Sequence, residues 1–219
     1  DLDGVIAFTD KYHYQAWKKL ADEEGWQFDE EVNHQLRGVS RRESLQRILD
    51  YNGLHLPEKQ IVVLSDRKND YYVRSIQNIN AGALYPGAVE FIQKCKSAGV
   101  RTALCSSSRN AKTILEKLDI ENMFDVVVTG EDITRTKPDP QIFTIASRKL
   151  NIPPSRCIVF EDAVSGIEAA LKIGMKCLGV GTQDQLPNAP DTFRNYDEID
   201  LHTLLDTGHK TNRKGTKDG

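Results

Sequence analysis

The stretch RCIVFEDAVSGIEAALKIGMKCLGVG, residues 156–181, holds a short apolar run, a pair of carboxylates, an amphipathic segment and a second apolar run. RCIVF and KCLGVG are each of strand length, and SGIEAALKIG between them has helical spacing. Two short strands joined through a helix pair parallel, because only a crossover connection of this length can return the chain to the same edge. The same texture extends upstream as helix AVEFIQKCKSAG, strand VRTALC, helix NAKTILEKL, strand FDVVVTG and helix PQIFTIASRKL. Such alternation predicts an α/β fold, a parallel sheet with helices on both faces. Residues 9–79 differ. His13, Ala16, Trp17, Leu20 and Ala21 share one helical face, SRRESLQRIL follows, and KQIVVLSDRKNDYYVRSIQNI completes an all-helical unit.

In an open parallel sheet, ligands bind outside the carboxyl ends of the strands. The segments predicted there are DLDGV (1–5), CSSSRN (105–110), TRTKPDP (134–140) and EDAVSG (161–166). Together they offer carboxylates, hydroxyls and one lysine, the set that magnesium-dependent phosphoryl transfer requires, since a hard cation takes oxygen ligands. Lys137 would neutralise a phosphate and a nucleophile together. Each element also has a structural explanation. Asp1 and Asp3 would cap a helix, Ser106 to Ser108 would form an N-cap cluster, Lys137 would be a solvated loop residue, and Glu161 with Asp162 would favour a helix N-terminus. Capping alone does not account for four polar clusters, each at the end of a predicted strand. DLDGV in that position needs a strand of roughly five apolar residues before Asp1, which is expected to precede it in the full protein.

Composition narrows the function classes. With 219 residues, 39% hydrophobic and 28% charged, the chain can bury one core and an accessory unit. A net charge of -3 gives no basic field for nucleic acid or an anionic membrane surface, and the basic run HKTNRKGTKDG (209–219) reads as a solvated tail. No run approaches the length of a membrane span, and no signal peptide is visible, so a cytoplasmic location is expected. Cys95, Cys105, Cys157 and Cys177 lack CxxC spacing and are expected as buried free thiols, in neither zinc sites nor disulfides.

DLDGV, CSSSRN, the lysine of TKPDP and FEDAVSGIEAA resemble the four motifs of the haloacid dehalogenase superfamily, over residues 1–181. The helical segment inserted after the first motif is similar to that superfamily's α-helical cap. TDKYHYQAW, LRGVSRRESLQ and RKNDYYV resemble the β-phosphoglucomutase-like subfamily. The resemblance implies a Rossmann-like core formed by residues 1–8 and 82–219, with the cap at 9–81. It implies Asp1 as nucleophile, Asp3 as general acid and base touching the metal only through its backbone carbonyl, and Ser106 with Lys137 on the transferring phosphoryl group. Glu161 and Asp162 would complete a magnesium site with Asp1. Phe8 departs from the pattern, because relatives often carry a small or acidic residue there.

The cap residues decide the acceptor. Ser40 with Glu43 fits a capping box that opens a helix, leaving Arg41, Gly38 and Val39 at an N-terminus suited to an anion. His13 is expected as a core histidine from its apolar face, and the resemblance adds positioning of Asp3 or of substrate. Lys68 would be a surface lysine by residue type and a sugar-hydroxyl contact by resemblance; Trp17 is expected in the cap core and against substrate. Arg41 with Ser108, Arg109 and Asn110 would clamp a second phosphate. The implied activity is interconversion of β-D-glucose 1-phosphate and glucose 6-phosphate through an aspartyl-phosphate enzyme and a bound bisphosphate, by a monomer whose partners are small sugar phosphates. The alternatives are a sugar-phosphate phosphatase and a non-catalytic phospho-aspartate signalling module.

Overall fold

The computed structural model describes residues 1–207; the basic tail lies outside the described residues. The helical segment forms α1 (Asp10–Glu24), α2 (Glu30–His34), α3 (Arg41–Tyr51) and α4 (Glu58–Ser75). Their apolar faces close on one cluster that includes Trp17, Leu20, Leu45, Ile48, Leu49, Ile61 and Leu64. α1 ends at Gly25, whose φ of 73° provides the left-handed C-cap. α3 begins at Ser40, whose Oγ accepts the Glu43 N–H at 3.2 Å. The capping box is only half made. The Glu43 carboxylate pairs with Arg47 at 2.6 Å and accepts from Thr136 instead of returning to the cap backbone.

The alternating part follows the predicted order: α5 (Ala88–Ser97), β1 (Ala103–Cys105), α6 (Ala111–Lys117), β2 (Val126–Val128), α7 (Gln141–Leu150), β3 (Ile158–Glu161), α8 (Val164–Leu171) and β4 (Lys176–Val180). β5 (Thr192–Phe193) and α9 (Leu201–Thr207) follow, neither of which the sequence pattern predicts. All strand pairs are parallel, so the α/β class holds, but the hydrogen bonding runs in two pieces, β1–β2 and β3–β4–β5. Residues at the start of the chain sit beside both: the Asp1 backbone nitrogen donates to Phe160 O at 2.9 Å, and Lys137, which pairs with the Asp1 carboxylate at 3.0 Å, donates to Cys105 O at 3.5 Å.

α7 and α8 cover one apolar cluster with Val128, Val159 and Cys177, while α5 and α6 contribute to the larger cluster around Leu2, Leu104, Leu178 and Phe193. Cys95, Cys105 and Cys177 are buried and free as expected; Cys157 is free but only half-buried. Phe8 is 45% exposed and stacks on Tyr85 at 4.5 Å, so the departure at this position is absorbed by an aromatic partner at the surface.

Candidate active site

The β strands stop where the site begins. Glu161 is the last residue of β3 and Asp162 follows it; Ser106 to Ser108 follow β1. α8 can approach the end of β3 because residue 166 is glycine: a Cβ there would collide with the Glu161 carboxyl group. Gly4 has the same relation to Asp162, and its φ of +74° is a conformation other residues rarely adopt. Glycine at these two positions thus keeps both carboxylates where they are.

Asp1, Glu161 and Asp162 each present an oxygen within 4.8 Å of the others. Lys137, 1% exposed, pairs with Asp1 at 3.0 Å and with Glu161. Glu161 also accepts the Ala163 N–H at 3.2 Å, so it is engaged inside the protein, while Asp1 and Asp162 line the cavity. One buried lysine faces three carboxylates. Burial, then the Glu161 and Asp10 charges, push the Asp162 carboxyl well above the usual range. An all-oxygen set with excess negative charge fits magnesium. The Asp3 side chain stands apart from this cluster. It accepts from Thr9 Oγ1 and faces His13 Nε2 at 3.6 Å. Burial raises its pKa, but hydrogen bonds from His13 and Thr9 outweigh burial and hold it below the ordinary carboxylate value.

A cavity of about 490 Å³ joins the strand ends to the helical unit, a volume suited to a small phosphorylated molecule. Asp1, Asp3, His13, Trp17, Gly38, Val39, Arg41, Lys68, Ser108, Arg109, Asn110 and Asp162 all line it. Ser106, Lys137 and Glu161 do not: Ser106 is fully buried, with its Oγ accepting the Ser108 N–H at 3.2 Å, and Ser107 lines the cavity in its place. Lys68 is 3% exposed, so the surface position expected from its residue type is wrong. Its ammonium lies 3.0 Å from His13 Nδ1 and 4.8 Å above the Trp17 ring. Burial and the Arg41 charge lower its pKa to about 7. Trp17 is both core and wall.

Sequence reasoning missed several residues. Thr9 precedes α1 as its N-cap, a position where a hydroxyl normally caps the helix, yet it makes no cap bond and turns to Asp3. Arg37 pairs with Asp10 at 2.9 Å on the cavity wall. Ser65 and Asp66 line the same wall from α4. The strand-end position that pointed to Asp1 and Asp162 has no counterpart on α1 and α4, whose inward faces depend on how the two helices pack.

The family model for haloacid dehalogenase-like hydrolases matches residues 1–174. The chain is 37% identical to β-phosphoglucomutase of Bacillus subtilis over 208 residues, which is 93% of this chain and 91% of that protein. It is 31% identical to a phosphorylated carbohydrates phosphatase of Thermotoga maritima, covering 80% of each. The crystal structure of β-phosphoglucomutase from Clostridium difficile superposes with a TM-score of 0.89 at 35% identity, over 94% of this chain and 93% of that one. A match of this extent, on a fold with its acidic cluster at the strand ends, makes the chain an enzyme of the haloacid dehalogenase-like hydrolase family.

Proposed function

We propose that the protein is a phosphomutase that interconverts β-D-glucose 1-phosphate and glucose 6-phosphate through a phosphorylated Asp1 and a bound bisphosphate. The observation that carries this reading is the meeting of two guanidinium groups away from the acidic cluster. Arg41 of the helical unit and Arg109 of the β1 loop line one cavity, and burial together with the Arg109 charge lowers the Arg41 pKa. Asp66, at 4.0 Å, and Asp70 are the carboxylates near Arg41. Arg41 is partly desolvated and Arg109 beside it is exposed; their repulsion is relieved when an anion joins them, and guanidinium binds phosphate through paired hydrogen bonds. A second phosphate site is what a bisphosphate intermediate needs and what simple hydrolysis does not.

In this reading a carboxylate oxygen of Asp1 attacks phosphorus, and the bond from phosphorus to the sugar oxygen breaks. Lys137, fixed by Glu161, offsets charge on Asp1 and the phosphoryl group; Ser106 supports the same end. A magnesium ion held by Asp1 and Asp162 would stabilise the charge that develops on the phosphoryl oxygens. Asp3 is ionised in the resting site, so it first accepts the proton of an incoming sugar hydroxyl as phosphoryl leaves Asp1. It returns that proton to the leaving oxygen of the next transfer. Residues 9–81 act as a cap that excludes water, and the Lys68–His13–Asp3 chain ties Asp3 to that cap.

A second reading, release of inorganic phosphate from a sugar phosphate, draws support from the Thermotoga phosphatase relative. The two separate on Arg41→Ala. For a mutase the variant loses turnover to glucose 6-phosphate by about a hundredfold, because the outer phosphate no longer orients the intermediate, while hydrolysis of the phosphoenzyme stays nearly unchanged. Phosphorus NMR of the ratio of glucose 6-phosphate to inorganic phosphate reads both rates. A wild type that yields only inorganic phosphate from primed β-glucose 1-phosphate establishes the phosphatase.

A further inference from the structure

α4 presents Ile61, Ser65 and Lys68 to the cavity, spaced i, i+4 and i+7 along one helical face. Ile61 packs into the helical core and Lys68 is held by His13, but the hydroxyl oxygen of Ser65 is buried without a hydrogen-bond partner. A serine within a helix normally bonds the carbonyl four residues back or reaches water. Ser65 does neither. A buried hydroxyl left unpaired is destabilising, and serine is also a weaker helix former than alanine, so folding gives no reason for this residue here. Its neighbours on the wall do: Trp17 supplies an apolar face and Lys68 a charged donor, the surroundings of a polyol.

We infer that Ser65 is a specificity-determining residue, whose hydroxyl pairs with one hydroxyl of the sugar ring when a hexose phosphate occupies the cavity. This rests on the proposed sugar-phosphate substrate. The pairing satisfies the unbonded oxygen, and a site built around a substrate hydroxyl rejects the analogue that lacks it. Discrimination among hexose phosphates then comes from the ring, separately from the phosphate held by Arg41 and Arg109.

Calorimetric titration without any phosphoryl donor tests this, using glucose 6-phosphate and its 2-, 3- and 4-deoxy analogues against wild type and Ser65→Ala. In the wild type one deoxy analogue binds about tenfold more weakly than the parent. Ser65→Ala weakens the parent by about the same factor and leaves that one analogue unchanged, with a melting temperature equal to or above that of wild type. Equal affinities of wild type and variant for all four ligands, or equal weakening of all four, would overturn the inference while leaving the sugar-phosphate reading intact. A wild type that binds none of the four removes both.

Discussion

Lys68 stands 3.0 Å from His13 Nδ1 and over the rings of Trp17 and Tyr72, with burial and the Arg41 charge lowering its pKa to about 7. In an unfolded chain it titrates near 10.5. Between about 7 and 10.5 the unfolded state therefore binds more protons, so this group makes stability rise with pH across that window; below about 7 the deficit is present in full. Lys68→Met removes the titration. Its stability relative to wild type is expected to be greatest near pH 6.5 and to shrink towards pH 10, as urea midpoints at the two ends would show; a constant difference would mean that Lys68 titrates normally. Asp1 tests the chemistry at the same scale. Asp1→Asn keeps a side chain of the same size beside Lys137 but removes the oxygen proposed as nucleophile, and turnover is expected below about a thousandth of wild type with the circular dichroism spectrum retained. Activity above that level would assign the phosphoryl acceptor to another group.

Among the elements, the loop before α3 joins the cap to the core. Gly38 has φ +74°, and a Cβ there would lie 2.5 Å from Ser165 Oγ and 3.0 Å from Ala163 Cβ. Its carbonyl accepts from Ser107 at 3.4 Å. Gly38→Ala therefore forces the loop away from the α8 start, and with it Arg41, the first residue of α3. A loss of about tenfold in kcat/KM is expected, with phosphorylation of Asp1 by acetyl phosphate kept within about twofold, because that small donor does not need the proposed outer phosphate site. Equal loss of both would place the damage at Asp1. The elements themselves were largely legible. From α5 to β4, each strand is a short apolar run and each helix has a one-sided face, and the carboxylates fall where those strands end. β5 was not legible because two residues, Thr192 and Phe193, carry no periodicity; the open edge of β4 creates that strand. The Thr9–Asp3 and Arg37–Asp10 contacts were not legible either, since they arise from the packing of helices that share no local signal with the strand ends.

Across the whole molecule, the two units are joined unequally on their two sides. Around the cavity they meet through single polar contacts, Asn110 to Asn69 at 2.9 Å, Ser107 to Gly38 at 3.4 Å and Thr136 to Glu43 at 3.4 Å, beside those of Asp3 with Thr9 and His13. Elsewhere they share apolar surface without a break: Ala16 of α1, Tyr72 of α4, and Ile76 and Ile79 just beyond it belong to the same cluster as Leu2, Ile92 and Phe193. Few polar contacts near the site suit a cap that opens there, as the proposed bisphosphate would require in order to turn, while the shared cluster anchors the other side. That cluster also has a thermodynamic consequence. Both tryptophans, Trp17 and Trp26, lie in the helical unit, so their fluorescence reports that unit alone, whereas far-ultraviolet circular dichroism reports the whole chain. If the shared cluster couples the units, the two probes give one denaturation midpoint in wild type. Ile76, fully buried within it, is the side chain to remove. Ile76→Ala is expected to destabilise the protein by about 2–5 kcal/mol, moving both midpoints down together. A fluorescence transition that precedes the dichroism transition in wild type would show that the helical unit unfolds on its own and that the cluster does not couple the two.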